Sequence, residues 1–262
     1  MRLLFLGDIV GKPGKKAVLD LLPALVRDHR IDVTVANCEN VAGGAGVNPD
    51  SAEELLAGGC DLLTTGNHIW TREREIVEYL STSRRLLRPA NYPKPCPGKG
   101  HAIIPVRGGR KLGVVNLEGR IFMKPLDDPF PLARELVNEL RKETPCVFVD
   151  FHGEATSEKN AMGAYLDGLA SAVIGTHTHV QTADERILPG GTAFLTDAGM
   201  CGPLDSVIGL KKEMSIARFL TQRRAGFETA TKLVYVQGAV VELDDATGRA
   251  IAIERVRVKH TD

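Results

Sequence analysis

The chain has 262 residues, ample for one large α/β domain with a full hydrophobic core. Hydrophobic residues make up 43% and charged residues 25%, which argues against a disordered chain. The 33 basic residues balance 33 acidic ones, so bulk charge argues against a general nucleic-acid binder or a polybasic membrane binder.

No apolar run nears the roughly 18–20 residues that cross a bilayer. Gly7-Asp8 cuts the first run short of a signal-peptide core, so the start reads as a buried strand of a cytoplasmic protein. Five cysteines (Cys38, Cys60, Cys96, Cys146, Cys201) are widely spaced with no CxxC pair. They read as reduced thiols, not as a disulfide frame or a thiolate zinc site.

In chain order, 2–7 reads as a strand, and 15–27 as a helix with Val18, Leu21, Leu22, Leu25 and Val26 on one stripe. A second strand spans 32–37. Asn48 then caps a helix with Pro49 at its first position, running to Ala57 before Gly58-Gly59. Strand 61–65 and helix 72–80 follow. Pro89 to Gly100 is a proline-rich loop. Strands 102–106 and 111–116 are joined by a Gly108-Gly109 turn. Next come helix 131–142, strand 146–151, helix 157–169, strand 172–175 and helix 206–223. The final strands, 232–243 and 251–258, read as an antiparallel pair at an edge or in a second sheet. This is one domain over 1–262, a mixed sheet with helices on its faces, in which ligands collect at the carboxyl ends of strands.

Those ends carry the chemistry. Five strands terminate in Gly7-Asp8, Asn37-Cys38-Glu39-Asn40, Gly66-Asn67-His68, His152 and Gly175-Thr176-His177-Thr178-His179. Each alone has an ordinary explanation: a helix cap, a polar turn or a satisfied histidine. His177 and His179, two apart on a segment read as extended, point the same way. Together the residues offer oxygen and imidazole without thiolate, a set suited to two hard-to-borderline cations. Gly7 to Gly14 fits neither a dinucleotide loop nor a P-loop, and Asp8 would repel a phosphate. Gly43-Gly44-Ala45-Gly46 reads as a flexible turn at the rim of the site. Arg84, Arg85 and Arg88 read as a solvated face and Trp70 as core.

This pattern resembles the calcineurin-like metallophosphoesterases, and more closely their YmdB-like branch of cyclic-nucleotide phosphodiesterases. The branch likeness rests on 37–40, on 150–159 (Asp150 to Lys159) and on 196–200 (Thr196 to Met200), and extends from Met1 to near the C-terminus. The chain departs from the wider superfamily. Val10 stands where a histidine is usual, Glu39 replaces the bridging aspartate, and Ile69-Trp70 follow the Gly-Asn-His. The branch shares these departures and supplies Asn40, which makes the first site harder.

The resemblance implies an α/β fold of mixed β-sheets in a sandwich flanked by helices. It implies that Asp8, Glu39, Asn40 and His179 hold one metal and that Glu39, Asn67, His152 and His177 hold the other, with Glu39 bridging. A metal-bridging hydroxide then attacks phosphorus, and His68 protonates the leaving alkoxide or only hydrogen-bonds the phosphate. Asp150, Glu154 and Asp197 stand near these motifs as supports for ligand imidazoles or as ordinary caps. The expected metals are iron first, with manganese and zinc fitting the same donors. The expected substrate is a small 2′,3′- or 3′,5′-cyclic nucleotide. The competing readings are a broad phosphomonoesterase and a regulatory protein that binds RNA or a partner. No membrane partner is expected, and a homo-oligomer stays open.

Overall fold

Leu3, Leu4, Phe5 and Leu6 are all fully buried, because the strand they form is covered on both faces. The computed structural model describes residues 1–223, 226 and 228–261. Its first half contains β1 (Arg2–Leu6), β2 (Asp8–Ile9), α1 (Gly11–Asp28), β3 (Val33–Asn37), α2 (Pro49–Ala57), β4 (Leu62–Thr64), α3 (Glu73–Thr82), β5 (His101–Val106), β6 (Arg110–Glu118) and α4 (Pro129–Leu140). The remainder contains β7 (Val147–His152), α5 (Thr156–Tyr165), β8 (Ala172–Thr176), β9 (Arg186–Ile187), β10 (Ala193–Leu195), β11 (Met200–Pro203), α6 (Lys212–Thr221), β12 (Val234–Leu243) and β13 (Ala250–Lys259).

The strands form two mixed sheets. One runs β2-β11-β12-β1-β3-β4 with β13 on β12, and the other runs β5-β6-β7-β8-β10-β9. Leu3, Phe5, Val35 and Leu62 face Val114, Phe148, Ile174 and Leu195 between the sheets. The Phe5 and Phe148 rings meet there with centroids 4.8 Å apart. Leu4 and Leu6 point the other way, into a core with α1, α2 and α3, while α4 and α5 cover the far face of the second sheet. This four-layer sandwich is the expected fold class.

Asn48 caps α2 as read from sequence, its side chain accepting from Ser51 N at 3.1 Å. Four features differ from the sequence reading. Helix α1 begins at Gly11, its first turn closed by Gly14 N donating to Val10 O at 3.2 Å with Pro13 in the tolerant first turn. The predicted helix 206–223 forms only from Lys212 to Thr221, since Ser206–Leu210 makes a turn whose carbonyls are used elsewhere. Strand β12 is interior, paired with β1, β11 and β13, and not an edge. The short strands β2, β9, β10 and β11 carry no alternation that sequence could report. No described helix is long and apolar enough to cross a membrane.

Candidate metal centre

The two sheets bring the carboxyl ends of β1, β3, β4, β7 and β8 together. Gly7 makes the first approach possible. A Cβ there would sit 2.0 Å from Gly199 O, so only glycine lets β2 register with β11, Asp8 beside Met200. Asp8 is fully buried. Its Oδ2 accepts from His177 N at 3.0 Å, and its Oδ1 has no hydrogen-bond partner among the described residues.

Glu39 follows β3, with its backbone N–H on Asn37 Oδ1 at 3.1 Å. Its Oε2 lies 3.2 Å from His152 Nε2 and accepts from His68 N at 3.2 Å. Asn40 aims its Oδ1 at His179 Nε2, 3.2 Å away. The Gly43–Gly46 turn sets that aim. Asn40 Nδ2 donates to Gly44 O at 3.1 Å while Gly44 N donates to Asn40 O at 3.0 Å. Asn67 Oδ1 is 2.9 Å and His177 Nδ1 3.1 Å from the same His152 Nε2.

The seven residues read from sequence as metal ligands therefore stand in one cluster. Two overlapping groups have their ligand atoms within 4.8 Å of one another: Glu39, His152 and His177, and Asp8, Glu39 and His179. The donor chemistry fits cations. Lone pairs of Glu39, Asn67 and His177 converge on one nitrogen that carries one proton at most, and Asp8 Oδ1 is an orphaned buried carboxylate oxygen. Gly66 keeps the space open: a Cβ there would lie 2.3 Å from His152 and 2.5 Å from Glu39 Oε2.

The electrostatics match this crowding. Burial opposes charge on both Glu39 and His152, yet their mutual attraction wins. It holds Glu39 down to about 2 and lifts His152 to about 10. Burial and the neighbouring His152 charge push His177 down to about 3. Burial raises Asp8 despite His179 and His152.

His177 and His179 do not lie on an extended segment. Their φ angles are 103° and 64°, both left-handed, so the two rings part: His177 turns to His152 and His179 to Asn40. Such strain in non-glycine residues persists only where the surroundings enforce it. Asp197 enforces it here, accepting from Thr178 N at 3.1 Å and Thr178 Oγ1 at 2.8 Å while paired with Lys159 at 2.6 Å. Glu154 reaches His177 Nε2 at 3.0 Å, and Ile208 O lies 2.9 Å from His179 Nδ1. Asp150 acts through Thr176, whose hydroxyl donates to it at 2.7 Å.

His68 is half-buried beside Asn67, with Nδ1 3.4 Å from Thr71 Oγ1. Trp70 packs on the core edge-to-face with Tyr92, as read. Arg84 and Arg85 are exposed, but Arg88 is not part of a solvated face. It is buried and donates to the carbonyls of Pro89, Cys96 and Pro97, stapling the proline-rich loop. Sequence reasoning missed Glu118, which ends β6 in register with His152 and buries both carboxylate oxygens with no hydrogen-bond partner among the described residues. The strand-end rule finds it once β6 is extended two residues past Asn116.

Fold and site together define a phosphoric ester hydrolase of the metallophosphoesterase superfamily. The model of the YmdB-like protein family matches residues 4–256, and the chain belongs to that family. It is 47% identical over 258 residues to the 2′,3′-cyclic-nucleotide 2′-phosphodiesterase of Bacillus subtilis (strain 168), covering 98% of this chain and 97% of that one. Among solved structures it resembles a hypothetical protein from Thermus thermophilus, with 43% identity, TM-score 0.93 and complete coverage of both chains. It also resembles a structure from Mycoplasma pneumoniae titled a novel phosphatase, with 34% identity, TM-score 0.92 and coverage of 99% and 93%.

Proposed function

We propose that this chain is a dimetal phosphodiesterase that hydrolyses small cyclic nucleotides, 2′,3′- or 3′,5′-cyclic, from one catalytic domain spanning 1–262. The observation that carries the reading is that Glu39 belongs to both ligand groups, so one carboxylate can serve two cations. Asp8, Asn40 and His179 complete one site, and Asn67, His152 and His177 the other. Iron, manganese and zinc all fit these donors, and iron is the metal assigned first on the family resemblance. When bound, such cations lower the pKa of water and offset charge on phosphoryl oxygens.

The protein's own groups do the rest. Two ligand carboxylates are too few to neutralise two divalent cations, so the pocket favours an anionic diester. Asn40 and Asn67 add neutral oxygens without reducing that excess. We assign His68, next to the ligand Asn67 and with Nδ1 beside Thr71 Oγ1, as the group that protonates the leaving ribose oxygen. Five free thiols suit a reducing, cytoplasmic setting.

The test is metal analysis of purified protein followed by rates on a 2′,3′-cyclic nucleotide, a 3′,5′-cyclic nucleotide and a monoester. Two metals per chain and preference for a cyclic diester are expected, with both metals and the activity lost in Glu39→Ala. Faster monoester turnover would favour the phosphatase reading suggested by the Mycoplasma pneumoniae structure's title. Tight RNA binding by dimetal protein without any hydrolysis would favour a regulatory role.

A further inference from the structure

The loop after β6 leaves the sheet beside the metal cluster. Gly119 N donates to His152 O at 2.8 Å, directly after the register pair Glu118 and His152. The base of the loop therefore sits at the strand-end edge that carries the cluster. This loop is anchored at both ends. Glu158, buried at the start of α5, accepts from Arg120 N at 2.9 Å and Ile121 N at 3.2 Å. Asn91 accepts from Glu118 N at 2.9 Å and donates to Asp127 O at 3.1 Å. A turn from Met123 N to Arg120 O, 3.2 Å, closes the tip.

At that tip stands Phe122, 88% exposed and at φ +62°. A phenyl ring held in solvent on a left-handed backbone combines exposure with backbone strain, and among the described residues it joins no apolar core cluster. Glu158 belongs to the 150–159 motif, yet among the described residues it makes no hydrogen bond to a candidate ligand. Its polar contacts go to the loop that carries Phe122. Exposed aromatic rings of this kind stack nucleobases of any sequence, and Lys124 adds a nearby cation for a phosphorylated ligand.

We propose that Phe122 is the stacking platform for the base of the nucleotide substrate and that Glu158 is the positioning residue that holds it; this rests on the phosphodiesterase reading above. The test is calorimetric binding of AMP and of inorganic phosphate to metal-loaded protein, with KM and kcat for a cyclic nucleotide alongside. Phe122→Ala should lower the ratio of AMP to phosphate affinity about tenfold, with the kinetic change on KM more than kcat. Phe122→Trp should restore the ratio. Glu158→Ala should mimic Phe122→Ala, and the double variant should be no weaker than Phe122→Ala alone. If wild-type protein prefers AMP and Phe122→Ala keeps that preference, or changes only the oligomeric state, the platform is wrong and the phosphodiesterase reading stands. If wild-type protein shows no preference for AMP and cleaves no cyclic nucleotide, both fall.

Discussion

Thr176 sets which tautomer His152 takes as a neutral ring: its hydroxyl lies 2.9 Å from Nδ1. The hydroxyl proton is committed to Asp150 Oδ1 at 2.7 Å, so the oxygen can only accept from Nδ1–H. Nε2, facing Glu39, Asn67 and His177, is then the nitrogen left to bind a cation. Thr176→Val keeps the shape and removes the acceptor. It should weaken metal binding about 10–100-fold, read by competition with a chelator, while far-ultraviolet circular dichroism stays unchanged.

Lys159 and Asp197 form a fully buried ion pair that also fixes the Thr178 turn. Removing one partner strands the other charge. Lys159→Met should cost about 3–5 kcal/mol in urea unfolding, and pairing it with Asp197→Leu should recover much of that stability. Metal content should fall in the double variant, because the turn between His177 and His179 loses its anchor with Asp197.

Glu118 gives a pH signature. Burial raises its carboxyl from 4.5 to about 7, although His152 pulls it down. The folded state therefore holds a proton that the unfolded chain has released across that window. Its stabilising share is complete below the unfolded value and disappears as pH climbs through the folded one. In metal-stripped protein, Glu118→Gln should match wild type near pH 4.5 and exceed it by roughly 1–3 kcal/mol at pH 8. Urea midpoints at the two pH values check this, and equal gaps at both would refute it.

His68→Ala should keep its metals and lose about 10²–10⁴-fold in kcat on cyclic diesters. The loss should shrink with a p-nitrophenyl leaving group, which needs no proton. Loss of metal in the variant would show that the His68 side chain is structural, since the backbone N–H that bonds Glu39 is kept in the variant.

Much of this was legible where local chemistry is strong. Asn48-Pro49 announces α2, and polar residues after apolar runs announce Asp8, Glu39 and His152. What escaped depends on distant partners. Gly14 lies where a Cβ would come 2.1 Å from Cys201 O, and Arg88 is buried because three loop carbonyls need donors. Thr176 was visible in its motif, but its role comes from Asp150 across the neighbouring strand. The left-handed turn at His177 has no sequence mark, since its cause, Asp197, lies twenty residues on.

Gly7 N bonds Gln237 O at 3.0 Å, and Asp8 N bonds Gly199 O at 3.1 Å. The first candidate ligand in chain order is thus pinned by strands that come much later in the sequence. Until β11 and β12 are made, a nascent chain has no finished cradle for a cation, so loading with metal waits on both.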